Sequence, residues 1–81
     1  MDLPHVEKSE MTRYFFDVVA PKHRRYDYQG RLLKDPEHAR ECADLMALDL
    51  QVDPECDCAG WSIQVRDAVG RHFASVPVRP I

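Results

Sequence analysis

The chain has 81 residues, 44% of them hydrophobic, three cysteines and a formal net charge of −3. That suffices for one small domain, which buries only about 60% of its unfolded surface, so its stability margin is thin and oligomerisation would help it. No apolar run nears the roughly 20 residues a bilayer crossing needs.

The start, MDLPHVEKSEM, lacks the basic and apolar regions of a secretory signal. An odd cysteine count without an even framework argues against structural disulfides. Together these features predict a cytoplasmic protein. The charge is segregated. Residues 1–34 carry seven basic and five acidic groups, residues 35–60 one basic and eight acidic, and residues 61–81 three basic and one acidic. The middle third is a solvated acidic stretch, and it disfavours nucleic acid approaching from that side.

Residues 1–11 have no sustained period and predict a flexible N-terminal leader able to dock through Leu3 and Val6. Residues 12–81 read as a single small α+β domain. Arg13 to Val19, RYFFDVV, is aromatic and β-branched and predicts a strand. Tyr14, Phe16 and Val18 share one face, assigned to the core; Phe15, Asp17 and Val19 share the other, because Asp17 should stay out of the core. Pro21 ends the run. Lys22, His23, Arg24 and Arg25 form a basic turn, Tyr26 to Tyr28 begin a return strand, Gly30 turns, and Leu32 and Leu33 lead into a helix.

The helix is expected over about 36–51. Asp35 is a good N-cap and Pro36 suits the first helical position. Ala39, Cys42, Ala43, Met46 and Leu50 recur at spacings of three and four, so they form one apolar stripe. Pro54 disfavours helical backbone just before it and stops the helix near Val52 or Asp53. Leu45 and Leu48 lie off the stripe beside Glu41 and Asp44. They are either scattered surface leucines or a second contact face.

After the connector 53–60, Trp61 to Asp67 alternates, with Trp61, Ile63 and Val65 inward and Ser62, Gln64 and Arg66 outward. Asp67-Ala68-Val69-Gly70 predicts a type I turn of a bulged hairpin. His72 to Val78 returns, with Ala74, Val76 and Val78 toward the helix and Phe73 and Ser75 on the far face. Pro77 suits an edge strand. The predicted architecture is a four-stranded antiparallel sheet in the order β-β-α-β-β, with one helix packed across one face.

With these residues placed, the chain resembles a family of small bacterial proteins, mainly alphaproteobacterial, catalogued as domain-of-unknown-function family 6894. The likeness is carried by RYFFDV at 13–18, the acidic helix entry and alanine-rich turns at 35–47, and WSIQVRDAVGRHFASVPV at 61–78. The family pattern has an acidic D-x-x-G step after its first strand. Here the corresponding stretch is Tyr26-Asp27-Tyr28-Gln29-Gly30, whose register the resemblance leaves open. The resemblance implies the fold and a free-standing domain, and it brings no activity.

Three surfaces emerge as candidates. The outer sheet face presents Phe15, Phe73, Gln64 and Arg66, with Lys22, Arg24 and Arg25 on a nearby basic loop. Such a face either pairs with protein or stacks unpaired bases. The second is Leu45 with Leu48 on the helix. The third is Cys56-Asp57-Cys58, a thiol pair that is a weak metal candidate because structural zinc takes four ligands. Asp49, Asp53, Glu55 and Asp57 cluster near the helix C-terminus, but they lack the glycine turn and closing glutamate of a calcium loop. No nucleophile sits in a recognisable catalytic arrangement, and no cofactor is implied. The sequence therefore predicts a non-catalytic, homodimeric association module. The alternatives are a weak single-stranded nucleic-acid binder and a thiol or metal sensor through Cys56 and Cys58.

Overall fold

The computed structural model describes residues 11–79; the leader assigned to 1–11 thus falls, apart from Met11, outside the described residues. The helix, α1, runs Pro36–Gln51. Asp35 caps it as expected, its carboxylate accepting from the His38 amide at 2.8 Å, and Val52 closes it. Ala39, Ala43 and Ala47 are its buried residues, and Cys42, Met46 and Leu50 flank them half-buried. Ala47, outside the predicted stripe, completes a row of small side chains that lets the helix approach the sheet closely.

Before the helix come β1 (Thr12–Ala20), β2 (His23–Arg25) and β3 (Arg31–Leu33); after it come β4 (Ser62–Arg66) and β5 (His72–Pro77). The sheet is antiparallel in the order β2-β1-β4-β5, with β3 also paired to β1. This is the α+β fold expected, with one strand more. The return strand predicted at Tyr26–Tyr28 is instead two short strands, His23–Arg25 and Arg31–Leu33, with 26–30 looping out between them. Val18 opposes Arg25 and Tyr14 opposes Arg31, so the return chain is two residues longer than the β1 segment it spans. Those residues cannot stay in the ladder, and the tyrosines bulge out.

Tyr14, Phe16 and Val18 of β1 and Ile63 and Val65 of β4 are buried in the core with the α1 alanines, Leu33 and Val78. α1 lies over β4 and β5 and touches β3. The β4–β5 hairpin turns at 67–70, where the Gly70 amide donates to the Asp67 carbonyl at 3.0 Å and Gly70 takes a φ of +91°. β5 is an edge strand, as Pro77 requires.

Two side chains differ from expectation, one in burial and one in face. Asp17 was expected outside the core, yet it is 0% exposed. It does point away from the helix, but loop 26–30 and arginines cover it. Phe73 was expected on the outer face; instead its ring packs edge-on to Tyr14 at 5.7 Å, against the core. The cause is a bulge opposite Val65 and Arg66, where Arg66 pairs with His72 while Val65 pairs with Ala74. The extra residue is Phe73, and a bulge breaks the alternation of faces.

Candidate functional site

The outer sheet face is built around Asp17. β1 and β4 set Asp17 opposite Gln64 and Phe15 opposite Arg66. Arg66 donates from Nε to Asp17 at 2.8 Å and from Nη2 to its other oxygen at 3.0 Å, and that Nη2 also reaches the Asp27 carbonyl at 3.0 Å. The Asp27 amide donates to Asp17 at 2.9 Å. Arg24 lies 3.9 Å from Asp17 and donates to Gln64 at 3.2 Å; His72 Nε2 is also 3.9 Å from Asp17. The Arg66 guanidinium covers the Phe15 ring at 4.9 Å. Burial raises the Asp17 pKa, but the Arg66 hydrogen bonds, the Asp27 amide and the charges of Arg66 and Arg24 outweigh it and hold the carboxyl below its ordinary 3.8. The same pairing raises the Arg66 pKa.

Asp27 locks the loop that covers this cluster. One oxygen accepts from the Gln29 and Gly30 amides, each at 3.0 Å, and the other from the Phe16 amide at 3.1 Å. Its carboxylate thus stands in for the ladder partner that β1 loses where the return chain bulges out. Burial raises the Asp27 pKa, and the amides of Gly30, Phe16 and Gln29 outweigh it and lower it. Among the described residues no buried side-chain polar atom lacks a partner.

The opposite side of the sheet carries α1 and, beside it, a groove. One section, about 440 Å³, has Phe16 and Val18 as floor, Met46 as the helix wall, and Arg25, Tyr28 and Arg31 at the rim. A second section, about 270 Å³, shares Val18 and Arg25 and continues past Leu50 to Trp61 and Cys56. Tyr28 is 85% exposed. The outward face of α1 carries Leu45, Leu48 and Val52, exposed at 63%, 55% and 67%.

In the connector, Cys56 and Cys58 are joined as a disulfide, where the odd cysteine count predicted none. Cys58 is buried, with a positive φ of 59° that brings its sulfur back toward Cys56. Its Sγ also lies 3.3 Å from the Leu50 carbonyl in the last turn of α1. Paired sulfurs are not thiolates, so in this state they are not a zinc ligand set.

The family model described as a domain of unknown function, DUF6894, matches residues 13–79. The chain belongs to that family. No curated protein and no solved structure matches it. The DUF6894 match covers α1 and, from Arg13 onward, the sheet. It also includes the D-x-x-G step whose register was open: Asp27 and Gly30 supply it, joined through the Asp27 carboxylate.

Within this DUF6894 domain the predicted site residues separate. Phe15, Gln64, Arg66 and Arg24 come together, but as the packed surroundings of Asp17 rather than as a bare platform. Phe73 leaves that group for the core. Arg25 emerges on the groove side, opposite Val18, and Lys22 stays exposed in the turn. Leu45 and Leu48 stand exposed together, joined by Val52. Sequence reasoning missed the parts played by Asp17, Asp27 and Val52. The signal for the first was an acid in the middle of an apolar strand, which demands a basic partner. For Asp27 it was the Asp-x-x-Gly spacing of an Asx turn.

Proposed function

We propose that this domain is a non-catalytic association module that pairs with a second copy of itself through the outward face of α1. The observation carrying this reading is the exposed row Leu45, Leu48 and Val52. Spacings of three and four put them on one side of the helix, as in a helix-docking seam. The charged cluster on the other side supports the non-catalytic part. Its polar atoms are committed to holding loop 26–30, so Asp17 and Arg66 are structural groups. The same commitment weighs against the nucleic-acid alternative, because Arg66 lies over Phe15 and is neutralised by Asp17.

Sedimentation at micromolar concentration tests the proposal. The wild type is expected at twice the 9.4 kDa chain mass, and Leu45→Glu with Leu48→Glu at the monomer mass with unchanged circular dichroism. A wild-type monomer would end the reading.

A second reading rests on the Cys56–Cys58 pair, which favours a thiol sensor. In a reducing cytoplasm the resting form is the dithiol, and oxidation ties the connector at the end of α1. Association measured with and without reductant tests this; identical behaviour of both forms would remove it.

A further inference from the structure

We propose that the groove beside α1 receives the outward face of α1 from a second copy, so that two helices lie side by side in one layer between two sheets. This rests on the self-association proposed above and names the receiving surface.

Three observations carry it. The first is incomplete cover. α1 lies over β4 and β5, and the groove over Phe16 and Val18 occupies the same side of the sheet beyond the Met46 and Leu50 flank of the helix. The second is direction. At about 100° per residue, Leu45, Leu48 and Val52 point opposite to the buried Ala39, Ala43 and Ala47. A helix lying beside its own groove therefore aims that row away from its own sheet, toward a sheet facing it.

The third is charge. The groove section over Phe16 and Val18 carries exposed Arg25 and Arg31, and among the described residues neither meets a carboxylate within ion-pair distance. The carboxylate lining that section, Asp27, is half-buried and taken up by three backbone amides, while Asp53 and Glu55 line only the section past Leu50, so the row's seat is the first section. The leucine row is bordered by exposed Glu41 and Asp49. Pairing two such rows directly would set acid against acid, whereas seating each row in the other copy's groove sets acid against arginine. Because row and groove are neighbours on one side of the molecule, a single twofold axis makes both contacts at once and the assembly closes as a dimer.

Two charge-reversed full-length variants test this by light scattering and sedimentation. Glu41→Lys with Asp49→Lys makes both surfaces basic; Arg25→Glu with Arg31→Glu makes both acidic. Each variant alone is expected to be monomeric, with helix content kept, and an equimolar mixture is expected to recover the dimer mass, since both contacts in the mixed pair are complementary. Raising the salt is expected to weaken the mixed pair. A dimeric wild type whose variants also stay dimeric, or whose mixture stays monomeric, overturns the groove assignment and leaves self-association standing. A monomeric wild type removes both.

Discussion

Asp17 is the buried charged residue among the described residues. A fully buried carboxylate is tolerated because Arg66 meets it with two hydrogen bonds and the Asp27 amide adds a third. Removing one partner of such a pair leaves the other charged and unpaired. Arg66→Met is therefore expected to cost about 3 kcal/mol in chemical denaturation; a loss near zero would mean that Asp17 takes up its proton at no cost. The pH dependence follows from the lowered pKa values of Asp17 and Asp27. Carboxyls depressed on folding bind fewer protons in the native than in the unfolded state. Their contribution is whole above the ordinary value of 3.8 and is lost as pH falls below it through the folded values. The denaturation midpoint should decline below about pH 4, and less steeply in Asp27→Asn, which should also be weaker at neutral pH. An identical acid decline in that variant would deny Asp27 this part. Gly30 and Gly70 separate two costs. Both have positive φ, but a β-carbon on Gly30 would lie 2.7 Å from the Tyr14 carbonyl, while one on Gly70 meets nothing within 4 Å. Gly70→Ala should cost about 1 kcal/mol and Gly30→Ala about 3 kcal/mol. Equal losses would show that loop 26–30 yields.

Among the elements, α1 was the most legible. Its cap, its first residue and its stripe are local features, and local features are written in consecutive residues. Asp35→Ala should cost about 1 kcal/mol, read as a lower thermal midpoint; no change would mean that Pro36 and tertiary contacts set the helix start unaided. β4 was equally readable, because a half-buried strand alternates. β5 was read correctly only in part. Its extent follows from its composition, but the bulge that turns Phe73 inward depends on pairing with β4, which no property of residues 72–77 announces. The return strand was misplaced for a related reason. Tyr26 and Tyr28 have high β propensity, but the ladder with β1 is made by His23–Arg25 and Arg31–Leu33. Asp27 then spends its carboxylate on the gap between them.

The candidate surfaces belong to the scale of the whole molecule. Phe15, Gln64, Arg24 and Arg66 did converge, but on a buried acid that converts them from a platform into packing. The Leu45 and Leu48 face survives as an exposed row and gains Val52. Its glutamate variants should dissociate the proposed pair while leaving monomer stability within about 0.5 kcal/mol, as for exposed substitutions generally.

The fold class, the helix with its cap and apolar stripe, and the inward faces of β1 and β4 could all be read from order and composition, because each is set by neighbours within a few positions. Three features required residues outside any local pattern to meet: the pairing of Asp17 with Arg66, the return of Cys58 to the end of α1, and the groove beside the helix. Their cause is common to all three. A buried charge, a loop closure or an uncovered half-sheet is defined by which surfaces remain after the elements pack, and packing joins positions as distant in the chain as Tyr14 and Phe73.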